Sequence, residues 1–238
     1  LEAPRDIAAH PAFAESKKCL EILQREAGGK YPICAYLTAS MTLPAILMGM
    51  EKWLHLLLLG PEDVRDELLR KCHDLFTRQA AAYRAAGADV LLYSNPFGST
   101  DIISMNFFKE LSLPWIEKDI QAAGAEGMVY YAGMARINPV IEMVRHHTGI
   151  KAYYLSPFDD MQAGMSMIGE NGLTCGVIND IKLIDWSPEE TRDEVKRIVD
   201  AGMHSGRFLF GTGLMPYGIP EENIRALLEA AYTFGRQE

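Results

Sequence analysis

Apolar and polar positions along this chain alternate between two textures. Six short runs rich in β-branched and aromatic residues read as buried strands: YPICAYLTAS (31–40), ADVLLYSN (88–95), MVYYAGM (128–134), KAYYLSP (151–157), LTCGVIN (173–179) and RFLFGTG (207–213). Between them lie stretches with apolar residues at helical spacing. In PEDVRDELLRKCHDLFTRQAAAYRAAG, Val64, Leu68, Cys72, Leu75, Phe76 and Tyr83 recur on one side, with Pro61 at the first turn and Gly87 at the end. SPEETRDEVKRIVDAG opens with Ser187 as N-cap, Pro188 just inside and Glu190 three residues on, and stops at Gly202. IPEENIRALLEAAYTFG repeats the style.

Strand–helix alternation with few hairpin signals predicts an α/β fold whose parallel sheet is covered by helices. An open doubly wound sheet suits six strands. A (β/α)8 TIM barrel needs two more, and the abrupt start at Leu1, in LEAPRDIAAHP, leaves room for them before it. In either case the working residues belong at the C-terminal ends of the strands. No linker or low-complexity tract divides the chain, so residues 1–238 are expected to form a single domain that lacks its N-terminal segment.

The 238 residues suffice for a sizeable core. A net charge of −9 argues against nucleic acid or an anionic membrane surface as the main partner. The longest apolar run, WLHLLLLG, is too short to span a membrane. Cys19, Cys34, Cys72 and Cys175 lie far apart without a CxxC, which predicts a reduced, cytoplasmic protein. No P-loop, GxGxxG, HExxH or G-x-S-x-G is present.

The segment GADVLLYSNPFGSTDIISMNFFKELSLPWIEK (87–118) resembles the uroporphyrinogen decarboxylase superfamily, whose members carry an "aGAD…D-P-x-a-S…lPy" pattern after a central strand. GRFLFGTGLMPYGIPEENIRALLEAA (206–231) is similar to the family's closing strand and helix. NDIKLIDWSPEETRDEVKRIVDAG is similar to the segment between them. The resemblance covers nearly the whole chain in the right order. It implies a (β/α)8 barrel with two strands before Leu1, and one of two chemistries. One branch decarboxylates the acetate arms of uroporphyrinogen. The other moves methyl groups between corrinoids and thiols such as coenzyme M on a zinc ion.

The methyltransferase branch takes zinc ligands from an H-x-C on one strand and a cysteine near the last strand. Here those positions read Tyr130, Ala132 and Leu214. The resemblance therefore implies a degenerate site without zinc, in which Tyr130 packs in the barrel or donates a hydrogen bond or proton. Decarboxylases carry a G-H-G near the last strand, where this chain has Thr212 between Gly211 and Gly213. Asn95 stands where many relatives have Asp; an amide can hold a ligand but cannot act as a general base.

Asp159 matches a common acidic position, with a helix cap at Met161 as its other reading. Tyr130, Asn95 and Asp159 are the expected catalytic residues. Ser94, Ser99, Tyr93, Asn179, Thr212 and Tyr217 are the expected substrate contacts. His146 and His147 fall at a helix end, His204 precedes the last strand, and Cys175 lies mid-strand.

The expected function is corrinoid-linked methyl transfer, with a corrinoid carried on a partner protein, no tightly bound cofactor, and a homodimer as the oligomer. Two alternatives stand beside it: decarboxylation of a tetrapyrrole carboxylate, and a barrel that binds a corrinoid or tetrapyrrole without turnover.

Overall fold

The computed structural model describes residues 4–236. All six strands form, each shorter than its apolar run: β1 Cys34–Thr38, β2 Val90–Ser94, β3 Met128–Tyr131, β4 Ala152–Tyr154, β5 Leu173–Ile178 and β6 Phe208–Thr212. The helices are α1 Pro11–Ala27, α2 Leu43–Met48, α3 Met50–Leu59, α4 Glu62–Ala85, α5 Met105–Phe107, α6 Leu113–Ala123, α7 Ile141–Thr148, α8 Met161–Ile168, α9 Pro188–Gly202 and α10 Glu221–Phe234. A π-helical stretch, Phe108–Ser112, joins α5 to α6. No helix among the described residues is long and apolar enough to cross a membrane.

Two compact units emerge. The first holds the chain through Tyr131 together with Met143–Ile150; the second holds Ala132–Glu142 and Lys151 onward. In the first, β1–β2–β3 are parallel and adjacent in chain order; in the second, β4–β5–β6 are as well. Parallel neighbours in chain order, each pair joined by a helical crossover, are the wall pattern of a (β/α) barrel.

Register assigns faces in the first unit. Leu37, Tyr93 and Tyr130 share one row of paired positions, and Thr38, Ser94 and Tyr131 the next. Residues in one row point to the same side of a parallel sheet. Tyr93 lies on the helix side, where Phe76 of α4 meets its ring edge-on at 5.6 Å. The buried stripe of α4 is Leu69, Cys72, Phe76 and Ala80. Spacing alone placed Val64 on that stripe, but it is half exposed because the helix begins only two residues before it, clear of the sheet.

On this side lies a buried carboxylate that the pattern of apolar residues did not reveal. Asp119 of α6 is fully buried and accepts four hydrogen bonds. They come from the Ser40 N–H at 2.9 Å, the Ser40 hydroxyl at 2.5 Å, the Tyr93 hydroxyl at 2.9 Å and His73 Nδ1 at 2.8 Å. One side chain thus ties α4, α6, β2 and the segment after β1 together.

In the second unit, Ile178, Val195, Ile198, Val199, Leu227 and Ala230 form the core between β5, α9 and α10. Ser187 starts α9 with a full capping box: its hydroxyl accepts from the Glu190 N–H at 3.2 Å while Glu190 accepts from the Ser187 N–H at 2.7 Å. Asn223 of α10, fully buried, donates to the carbonyls of Leu183 and Trp186 and fixes the turn after β5.

Replacing Asp119 by Ala leaves four donors around an empty position. The expected loss is about 3 to 5 kcal/mol, the usual cost of removing one member of a buried charged network, read from urea unfolding midpoints. Ser187→Ala removes one cap and is expected to cost only about 1 kcal/mol.

Candidate functional site

The ends of the strands bring polar side chains together separately in each unit. In the first, the Tyr36 hydroxyl donates to Ser94 Oγ at 2.5 Å, so these two residues occupy the face opposite Asp119. Ser94 is fully buried. The next residue, Asn95, is also fully buried; its N–H donates to the Tyr131 carbonyl at 2.7 Å, and its Oδ1 accepts from Thr42 Oγ1 at 3.4 Å.

Gly98 explains how the amide is held. A Cβ there would lie 2.5 Å from Asn95 Nδ2 and 2.5 Å from Ser112 Oγ, so only glycine lets the turn close over the amide. Ser112, in the π-helical stretch, donates to the Gly98 carbonyl at 2.8 Å and locks that turn. Ser99 bonds back to the Pro96 carbonyl at 2.7 Å and serves the same turn.

The Tyr130 ring packs against that of Tyr93 at 5.8 Å, tilted by 35°, on the helix side of the sheet. Burial pushes its phenol up to about 12, while the Asn95 side chain beside it pulls the other way. Tyr93 is held well above the usual phenol range, first by burial and then by the Asp119 charge. Both phenols are therefore neutral hydrogen-bonding groups near pH 7, not bases. The strand face opposite Tyr130 belongs to Tyr131, which shares a row with Ser94.

In the second unit, Asp159 is taken up by the backbone. Its carboxylate accepts from the Ile137 N–H at 3.0 and 3.2 Å, the Asn138 N–H at 3.0 Å and the Ser156 N–H at 3.0 Å. It orders the chain after β3 and after β4. The cap of α8 is Asp160, which accepts from the Ala163 N–H at 3.0 Å; the cap reading of the sequence falls one residue later than Asp159.

Asn179 accepts from the Lys182 N–H at 3.1 Å and shapes the turn after β5. The Thr212 carbonyl accepts from the Tyr154 hydroxyl at 2.7 Å. Tyr217, an expected substrate contact, is fully exposed, in the turn closed by the Ile219 N–H on the Pro216 carbonyl, while Ile219 is buried.

Sequence reasoning missed Asp180 as a site residue. It is buried, at 2% exposure, and its Oδ1 has no hydrogen-bond partner among the described residues. Burial raises its carboxyl above the usual range. The signal available in the sequence was its place two residues past the end of β5, shared with Asn179. A cavity of about 450 Å³ lies between β5, α8 and α9. Its charged lining is already engaged: Asp159 with the backbone, Asp160 with the Ala163 N–H, and Arg197 with Glu194 at 2.7 Å.

The zinc set of the methyltransferase branch does not fit the residues present. Ala132 and Leu214 carry no atom that could bind a metal, and the Tyr130 oxygen is enclosed. No group of three or more His, Cys, Asp or Glu side chains that could hold a metal ion occurs among the described residues.

A family model described as uroporphyrinogen decarboxylase (URO-D) matches residues 1–234. The chain is 22% identical over 218 residues to the methylcobamide:CoM methyltransferase MtbA of Methanosarcina mazei, covering 91% of this chain and 62% of that protein. It is 23% identical to the methylated-thiol–coenzyme M methyltransferase of the same organism, covering 89% of this chain and 56% of the relative. The chain thus spans about three fifths of the length of these relatives. A solved methyltransferase from Methanosarcina mazei superposes with a TM-score of 0.79 at 20% identity, over 99% of this chain and 68% of that one. That likeness shows a shared α/β barrel fold.

The raised phenol of Tyr130 makes alkaline stability a direct readout. A phenol held above its unfolded value keeps its stabilisation below about pH 10 and loses it as pH climbs through about 12. Tyr130→Phe is therefore expected to flatten the alkaline limb of the stability curve, by on the order of 2 kcal/mol between those limits. Urea midpoints from pH 8 upward check this; parallel limbs would refute the buried-phenol reading.

Proposed function

The chain belongs to the uroporphyrinogen decarboxylase (URO-D) family, whose model matches residues 1–234, and from that premise we propose that it is a methyltransferase-like enzyme working with a corrinoid carried on a partner protein. What supports this reading is that the curated relatives matched over about nine tenths of the chain are methyltransferases named for methylcobamide or methylated thiols. A corrinoid would supply the methyl group. The tasks left to this chain are binding, orientation and the exclusion of water.

The donor set argues for transfer without a zinc-bound thiolate, because the positions that would ligate the metal are Tyr130, Ala132 and Leu214. Asn95 acts as a neutral hydrogen-bonding group that orients, and Tyr130 backs it from the helix side of the sheet. Ser94 is held by Tyr36, and Thr212 by Tyr154, so each stands fixed at its strand end. Asp159 contributes as a positioning residue through the backbone N–H groups it gathers. Neither phenol nor amide can take a proton from a thiol at pH 7, so the acceptor must arrive as a thiolate or be deprotonated by solvent.

Two measurements test this. Elemental mass spectrometry of the purified, dialysed protein is expected to find less than about a tenth of an equivalent of zinc, since zinc sites with a full ligand set retain their metal. About one equivalent would overturn the zinc-free reading. Mixed with methylcobalamin and coenzyme M, the protein is expected to accelerate loss of the cobalt–methyl absorbance, with or without a chelator. Release of carbon dioxide from uroporphyrinogen with no loss of the cobalt–methyl signal would replace methyl transfer by decarboxylation.

A further inference from the structure

An apolar stripe runs along α3 in contact with water. Met50, Leu54 and Leu58 recur every four residues and so share one face of the helix. Met50 is 56% exposed and Leu58 41%, with Leu54 half-buried between them. Ile46 and Leu47, on α2 just before, are exposed too. Apolar side chains scattered singly over a surface need no explanation, but a row of them along one helix face marks an interaction surface. The stripe is also fixed in place. Trp53 and Leu57, on the adjoining face of α3, are buried, and the Trp53 indole N–H donates to the Met41 carbonyl at 3.1 Å.

The polar residues beside the stripe say which partner fits. Glu51 and His55 are exposed and follow the stripe round the helix on the same side, at about 100° per residue. Setting a second copy of α3 antiparallel across a two-fold axis at Leu54 brings Met50 against the partner's Leu58, and Leu54 against the partner's Leu54. Along the helix, Glu51 then stands within about 3 Å of the level of the partner's His55, while the two Glu51 carboxylates differ in level by about 9 Å. The symmetry makes the carboxylate–imidazole contact twice. A face complementary to itself in both its apolar and its charged positions suits an isologous interface. The net charge of −9 opposes self-association in general. On α3, however, the Glu51 carboxylate is offset by the Lys52 ammonium, so this face adds nothing to the repulsion.

We propose that two copies of this chain associate through α3, as a two-fold antiparallel pair centred on Leu54 with Glu51 against the partner's His55. The surface does not depend on the methyl-transfer reading, and its test needs no turnover. The stripe is much smaller than the roughly 20–30 residues a side of a standard interface, so the dimer is a weak one, with a dissociation constant on the order of tens of micromolar.

Sedimentation velocity of the full chain from about 1 to 500 μM tests this, a range that brackets such a constant. The sedimentation coefficient is expected to rise from the monomer to the dimer value across it. Leu58→Glu, at an exposed position, is expected to weaken association about tenfold or more with the circular dichroism spectrum unchanged. Glu51→Lys sets two cationic groups against each other and is expected to weaken it about fivefold. Adding His55→Glu to that variant reverses the pair and is expected to restore the dimer. A monomer throughout the range overturns the proposal, whatever else binds the stripe. So does association that Leu58→Glu leaves unchanged, or a double variant that associates no more tightly than Glu51→Lys alone.

Discussion

The first unit is organised around a charge that water cannot reach. Asp119 sits on the helix side of the sheet, where an ionised carboxylate without donors would be costly. Its four donors come from α4, β2 and the segment after β1, so each element is placed by the need to satisfy the same two oxygens. The consequences spread to neighbours. The Cys72 thiol, on α4, is pushed up to about 12, chiefly by burial and further by Asp119. Tyr93, pinned by its hydroxyl, gives Tyr130 a surface to stack on, and Tyr130 in turn borders Asn95. The polar residues at the end of β2 are thus braced from behind by a network that takes no part in chemistry.

The second unit solves the same problem with backbone donors. Asp159 gathers N–H groups that loops would otherwise leave without partners, and at the turn after β5 Asn179 accepts from the Lys182 N–H while Asn223 donates to the Leu183 and Trp186 carbonyls. Asp159 and Asn179 sit at strand ends, where a barrel enzyme keeps its chemistry, yet they are engaged in shaping loops. Asp180 Oδ1 and Asn223 Oδ1 are buried without a hydrogen-bond partner among the described residues. Position at a strand end is a weak guide to role; the state of the remaining lone pairs is a stronger one.

Strand positions were legible because apolar runs bounded by Gly and Pro carry their own signature. All six strands fall inside the runs read for them, and α9 begins at Ser187 and ends at Gly202 as its capping residues require. The site was less legible. Facing depends on register, and register is a property of pairs of strands, so Tyr130 was read into the barrel whereas its pairing with Tyr93 puts it on the helix side. Asp119 lies in the middle of an ordinary amphipathic helix, where a carboxylate usually faces solvent; only the meeting of four segments makes it internal. Tyr217 reads as pocket lining because it is an aromatic residue near a strand end; it is exposed, and Ile219 is the residue that the turn buries.

The two carboxylates also differ in how much chain each must gather. Asp159 reaches the N–H groups of Ile137 and Asn138 across 22 and 21 residues, and that of Ser156 across three. Asp119 reaches Ser40 across 79 residues and His73 across 46. Loop-closure entropy grows with the logarithm of length, so the longest closure of Asp119 costs about 1 kcal/mol more than that of Asp159. The clamp around β4 is therefore a local contact, available to a chain that is still largely unfolded. The Asp119 network is complete only when sequence-distant segments meet. By loop length alone, the Asp159 contacts cost the chain less to close than the Asp119 network does.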